Sequence, residues 1–204
     1  MVPSPAMGVA ALILAGGAGS RFDGKRHKLL TRLRDGSDQT VLGAVVAAAL
    51  EAQAVGAIDE VIVVAGAVDL AGTPRLDEVT VVQNARWADG QASSVLAGLE
   101  AAQRGGHDVV VVCPGDQPGV SEAAFVALAT VDAAVAAATY GVEPFATGPR
   151  PPVRLEQRMW RHLPTDGDEG ARAWFRAYPD TVRLVPVTGD PSDIDTVEDL
   201  ERWN

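Results

Sequence analysis

Two short stretches of the chain combine the residue types that polyphosphate chemistry needs. Leu14-Ala15-Gly16-Gly17-Ala18-Gly19-Ser20-Arg21 closes an apolar run, and Lys25, Arg26, His27 and Lys28 come soon after it. Glycine has no Cβ, so backbone N–H groups in such a loop can approach a row of phosphates, while the nearby cations neutralise its charge. The spacing is not that of a Walker loop, since no Gly-Lys-Ser/Thr follows, and it is not Gly-x-Gly-x-x-Gly from Gly17 or Gly19. The second stretch, Pro114-Gly115-Asp116-Gln117-Pro118, also follows an apolar run directly. A carboxylate at the carboxyl end of a central parallel strand stands where open α/β sheets bind ligands, and its hard oxygens suit Mg2+. Asp116 is the first candidate metal ligand, with an ordinary Pro-Gly turn as the alternative.

Two further segments carry convergent polar groups. Asn84-Ala85-Arg86-Trp87-Ala88-Asp89-Gly90-Gln91-Ala92-Ser93-Ser94 lies between a strand and a helix, where side chains and an exposed helix N-terminus can read a base and a ribose. Trp87 is suited to stacking on a ligand or to plain packing. Asp195 is a candidate second carboxylate for the metal; because Thr196-Val197-Glu198-Asp199 follows, it also fits an acidic helix start. His27 reads as part of a solvated basic turn, and Cys113 as a small buried hydrophobe.

The elements that must position these residues follow from periodicity. Residues 9–14, 60–65, 79–83 and 108–113 are short, largely β-branched runs typical of buried parallel strands. Helices are expected over 40–54, from a cap at Ser93 or a neighbour through Val95, Leu96, Leu99 and Ala102, and from Ser121-Glu122 to Leu128. Residues 134–140 read as a fifth strand, although their alanines leave helix open. Pro144, Pro149, Pro151 and Pro152 disfavour helix beyond residue 141. An extended piece over 153–155, short helices over 156–163 and 169–178, a strand over 182–187 and a last helix over 196–203 complete the expectation. The alternation argues for an α/β domain with a largely parallel sheet.

Composition limits what such a domain does. With 204 residues, 47% of them hydrophobic, the chain has the size to bury one sizeable core, and a single domain over 1–204 with a flexible 1–8 is expected. A formal net charge of −10 argues against nucleic acid or an anionic membrane as the main partner. No apolar run reaches the roughly 18 residues of a membrane span. One cysteine rules out a disulfide framework, and the start of the chain lacks a basic region ahead of an apolar one, so the cytoplasm is the expected location.

Taken together, the motifs resemble a known family. Residues 14–30, LAGGAGSRFDGKRHKLL, are similar to the signature loop of the nucleotidyltransferases that include the molybdenum-cofactor guanylyl- and cytidylyltransferases and the sugar-nucleotide pyrophosphorylases. The resemblance implies a Rossmann-like three-layer αβα sandwich with a mostly parallel sheet, of the nucleotide-diphospho-sugar transferase type. Its nucleotide-binding half would span about 9–130 and its acceptor-binding half about 131–204. It further implies that Leu14, Ala15, Gly16, Gly17, Ala18 and Gly19 bind the NTP phosphates, and that Arg21 and Lys28 stabilise the α-phosphate, with Lys25 as the rival of Lys28. GDQP resembles the metal motif, which gives Asp116 a catalytic, Mg2+-binding role. N-x-x-W-x-x-G-x-x-S-S puts Asn84, Gly90, Ser93 and Ser94 beside the nucleotide.

Towards the C-terminus, residues 166–172 resemble a G-D-x-G-A-R motif that gives Asp168 and Arg172 to the acceptor, and residues 193–200 resemble D-x-D-T-P-E-D-L, which makes Asp195 the second metal ligand. Pro152 falls at the acceptor-side G-N-P-V position, although here the stretch reads Arg150-Pro151-Pro152-Val153 and lacks the polar side chain. The implied reaction is transfer of CMP from CTP to molybdopterin or molybdenum cofactor with loss of pyrophosphate. The LAGG loop keeps GTP open against the cytidylyl-type GDQP, and a sugar phosphate is the rival acceptor. A molybdoenzyme or its chaperone is the implied protein partner, and a cofactor-binding chaperone without turnover is the non-enzyme alternative.

Overall fold

A computed structural model describes residues 7–24, 26–141, 146–167, 175 and 181–203. Seven strands, β1 (Val9–Ala15), β2 (Glu60–Ala65), β3 (Thr80–Gln83), β4 (Val109–Pro114), β5 (Val135–Tyr140), β6 (Arg150–Glu156) and β7 (Arg183–Val187), form one sheet in the order β3-β2-β1-β4-β6-β5-β7. Its first four strands are parallel, β6 is antiparallel to both β4 and β5, and β7 returns parallel to β5.

The sheet is buried on both faces, which is why its central strands read as continuous apolar runs. Along β1, Ala11, Ile13 and Ala15 enter one core with helices α1 (Val41–Ala54) and α3 (Glu122–Thr130). The alternate residues Ala10 and Leu12 enter a second core with α2 (Gln91–Arg104), Val153, Leu155 and Phe175. Gly98 gives α2 its close approach, since a Cβ there would collide with the Leu12 side chain.

The termini of the helices follow local chemistry. Thr40 caps α1 by accepting from the Gly43 N–H at 3.0 Å, and Ser121 caps α3 by accepting from the Ala124 N–H at 3.3 Å. The helix over 91–104 differs from expectation. Its cap is Gly90, at φ 102°, and Ser93 lies within the first turn with its hydroxyl bonded to the Arg86 and Gly90 carbonyls. A short α4 (Gln157–Trp160) stands where a helix over 156–163 was expected, and the expected helix over 169–178 lies outside the described residues apart from Phe175. The last helix, α5 (Val197–Arg202), has a full capping box between Thr196 and Asp199. Among the described residues no helix is long and apolar enough to cross a membrane.

Candidate active site

The chain leaves β1 for α1 on one face of the sheet and reaches β4 from α2 on the other, so the carboxyl ends of β1 and β4 flank a topological switch point. The glycine loop over 16–19 departs from β1 here, and Asp116 follows β4. The two connections are tied together, because the Gly115 N–H donates to the Leu14 carbonyl at 2.8 Å. On its other side the loop rests on Gly66: the Ala67 N–H donates to the Gly16 carbonyl at 3.0 Å, and a Cβ on Gly66 would lie 2.5 Å from that oxygen.

Lys28 sits in a 3-10 turn, Lys28–Leu30, that is pinned to the core by the buried Leu29. Its ammonium donates to Asp116 Oδ2 and to Asp195 Oδ1, each at 2.7 Å, with only 11% of the side chain exposed. Arg21 reaches the other oxygen of Asp195 at 3.0 Å from a largely exposed position. Burial by itself would lower the Lys28 pKa, but the neighbouring Asp116 and then Asp195 outweigh it and hold the ammonium above the ordinary lysine value.

The Asp195 carboxylate is not part of the helix cap. Thr196 and Asp199 fill that role, and Asp199 Oδ2 also accepts from the Asp195 N–H at 3.1 Å, which leaves the Asp195 side chain for Lys28 and Arg21. Asp195 is brought to Asp116 by backbone pairing, since the Ile194 N–H donates to the Asp116 carbonyl at 2.9 Å and the Ile194 side chain is buried.

These groups share one cavity of about 460 Å3, lined by the whole of Leu14 to Arg21 together with Lys28, Asp116 and Asp195. Trp87, Gly90 and Ser94 form its far wall. Two carboxylates that already hold an ammonium between them are a donor set suited to a hard divalent cation, which takes one or two protein carboxylates and completes its shell with phosphate oxygens and water. Among the described residues no group of three or more His, Cys, Asp or Glu forms an all-protein metal cage.

Three further expected site residues, Asn84, Ser93 and Pro152, do not line this cavity. Asn84 and Ser93 are buried behind the cavity wall, not on it: the Asn84 amide donates to Ser93 Oγ at 2.9 Å and Ser94 Oγ at 3.0 Å, and its carbonyl accepts from the Arg86 N–H at 2.9 Å. Their hydrogen bonds shape the loop that carries Trp87. Pro152 is buried within β6, while its neighbours Pro151 and Val153 line a second, smaller and mostly apolar cavity of about 80 Å3. That cavity shares Leu14, Gln91 and Pro114 with the first. Lys25, Asp168 and Arg172 lie outside the described residues.

Two residues of the site escaped the sequence reading. Gln117 is 1% exposed and donates to Asp193 Oδ1 at 2.5 Å, a second tie between the loop after β4 and the segment that carries Asp195. His27, read as solvated, has its ring packed against Gly19. The only sequence signal for either was its place inside a motif.

Residues 11–182 match the model of the MobA-like NTP transferase domain. A nucleotidyl transferase of known structure from Methanothermobacter superposes with a TM-score of 0.72 at 28% identity, covering 97% of this chain and 95% of its own. Rv0371c of Mycobacterium tuberculosis, solved as a complex with manganese, has the same fold at 23% identity with a TM-score of 0.63, covering 96% of this chain and 97% of its own. A relative from Paenarthrobacter nicotinovorans bearing the name nicotine blue oxidoreductase is 30% identical over 204 residues, 95% of each chain. The fold is thus the three-layer αβα sandwich of the nucleotide-diphospho-sugar transferases, and the chain belongs to the MobA-like NTP transferase domain family as an enzyme of the nucleotidyltransferase type.

Proposed function

We propose that the chain transfers CMP from CTP to the terminal phosphate of a small acceptor, with Mg2+ bound and pyrophosphate released, and that molybdopterin is the acceptor. The observation that carries this reading is the convergence of Arg21, Lys28, Asp116 and Asp195 on the glycine loop at the β1/β4 switch point. An acceptor phosphate oxygen forms the new bond to the α-phosphorus as the bond to the bridging oxygen of the β-phosphate breaks. The nucleophile is already an anion, so the step needs alignment and charge neutralisation more than a general base. Loop N–H groups orient the triphosphate, and Arg21 and Lys28 neutralise charge around the α-phosphate. Asp116 and Asp195 would hold the divalent cation, which supplies further neutralisation of the phosphates when bound.

The GDQP sequence supports cytidine, and the LAGG loop keeps GTP as the competitor to be measured. The apolar cavity adjoins the first at Leu14, Gln91 and Pro114, which supports an acceptor that seats an apolar part beside the triphosphate. A cytoplasmic enzyme that hands its product to a molybdoenzyme or its chaperone completes the proposal. The test is pyrophosphate release from CTP, GTP, UTP and ATP with Mg2+ or Mn2+, with and without molybdopterin. Acceptor-dependent release with CTP supports the reading; release preferring GTP overturns the base, and release only with sugar phosphates overturns the acceptor.

The name of the Paenarthrobacter relative favours a second reading, redox chemistry on a ligand in the apolar cavity. The one thiol of this chain gives it no support, because Cys113 is fully buried and burial raises its pKa well above the ordinary thiol value. NAD(P)H oxidation by the same preparation tests that reading directly.

A further inference from the structure

The imidazole of His27 lies between the two parts of the phosphate site. On one side is the glycine loop: a Cβ on Gly19 would stand 2.6 Å from His27 Nε2 and 3.0 Å from Cδ2. Gly19 has a φ of 61°, so both its backbone conformation and the ring beside it require glycine. Nε2 is buried against this loop without a hydrogen-bond partner of good geometry. On the other side, Nδ1 accepts from the Leu29 N–H at 3.4 Å and so caps the turn that presents Lys28. The His27 carbonyl takes two more bonds from the same turn, from the Leu30 N–H at 3.0 Å and from Thr31 Oγ1 at 3.1 Å. Because Nδ1 accepts, the hydrogen-bond pattern assigns the ring proton of the neutral imidazole to Nε2, facing the loop. Burial, the largest influence on His27, lowers its pKa and favours that neutral ring, while the backbone of Gly17 and Ala18 partly opposes it.

His27 does not line the nucleotide cavity; it lines a hollow next to it with Arg26 and Thr40. We infer that His27 is a positioning residue, a half-buried wedge that sets the glycine loop and the Lys28 turn in fixed relation so that loop N–H groups and the Lys28 ammonium address one triphosphate. The inference rests on the nucleotidyl-transfer reading for its functional consequence, and on the Gly19–ring contact alone for its structural part.

Three substitutions separate the two sides of the ring. Asparagine can present an acceptor where Nδ1 stands, and glutamine a donor where Nε2 stands. Binding of Mg2+·CTP by calorimetry reads the loop, and kcat for pyrophosphate release reads Lys28. His27→Ala is expected to weaken CTP binding on the order of tenfold and to lower kcat by on the order of tenfold or more. His27→Gln is expected to recover mainly binding, and His27→Asn mainly kcat. Equal recovery of both by both variants overturns the two-sided role, and His27→Ala with wild-type binding and kcat overturns the inference altogether.

A ligand-free arm keeps the structural part testable if the wild type binds no nucleotide, an outcome that would sink the transfer reading instead. Thermal midpoints of Gly19→Ala, His27→Ala and the double variant should be non-additive, with Gly19→Ala milder once the ring is gone. Additive midpoints overturn the wedge. In a nitrogen-15 spectrum of the intact protein His27 should show a protonated Nε2 and a bare Nδ1, and the opposite tautomer would also overturn it.

Discussion

Replacing Lys28 by methionine removes the cation that two carboxylates share and keeps most of the apolar stem. In the native protein Nζ stands 2.7 Å from one oxygen of Asp116 and 2.7 Å from one of Asp195. Those oxygens are therefore separated by no more than twice that distance, and at an effective dielectric near 20 two like charges so placed repel by about 3 kcal/mol. That agrees with the roughly 3–5 kcal/mol lost when one partner of a buried ion pair is deleted. Arg21 contacts Asp195, but its side chain is 75% exposed, and a surface pair contributes at most about 1 kcal/mol.

Urea denaturation at neutral pH should accordingly show Lys28→Met less stable by about 3 kcal/mol, with much of the loss restored by millimolar Mn2+ or Mg2+. The pH dependence has a definite sign. Because the folded Lys28 pKa is raised above 10.5, its contribution is complete below about pH 10.5 and disappears as pH climbs through the folded value. The gap between wild type and variant should close on that alkaline side. A loss under about 1 kcal/mol that divalent ions leave unchanged would refute the view of Lys28 as the balancing charge of a metal site.

Asp116→Asn should lower kcat for pyrophosphate release by about 10²–10³-fold while calorimetric binding of CTP persists, and unchanged release would remove Asp116 from the reaction. Gly66→Ala places a Cβ 2.5 Å from the Gly16 carbonyl oxygen and 2.7 Å from Trp87 Cβ, so nucleotide binding should fall at least about tenfold with the circular dichroism spectrum retained; normal binding would show that the loop does not depend on that contact. Glu60, far from the site, accepts from Thr80 Oγ1 at 2.6 Å and lies 2.7 Å from His107 Nε2. Burial would raise its pKa, yet the Thr80 and His107 bonds together hold it below 4.5, so its contribution is present above about pH 4.5 and is lost as pH falls through the folded value. Glu60→Gln should cost about 1 kcal/mol in neutral denaturation curves and nothing in strong acid, and a constant difference across that range would exclude the linkage.

Much of this molecule was legible in the order of its residues. Strand β2 falls where its β-branched run starts and stops, and the Thr40 and Ser121 caps stand one residue ahead of their helices, because buried parallel strands and N-caps are set by local chemistry. The glycine loop and Asp116 were legible for the same reason, each following an apolar run directly. The cap of α2 was misread: Ser93 looks like a cap in sequence, but Gly90 supplies the positive φ that turns the chain into the helix.

The sequence by itself determined which residues are chemically able to act: a glycine loop after β1, a carboxylate after β4, and cations between them. Only the tertiary structure decided which of them meet. Asp195 stands 79 positions beyond Asp116, yet the two share one ammonium because the chain returns beside β4 and pairs Ile194 with the Asp116 carbonyl. Asn84 and Ser93 have the chemistry of ligand contacts, and the fold buries them in a mutual hydrogen bond that the sequence does not reveal. His27 has the sequence context of a solvated turn, and the fold packs one edge of its ring against Gly19. Residue type is a local property that the sequence carries directly, whereas contact between distant residues depends on strand order and on which side chains the packing leaves facing the cavity.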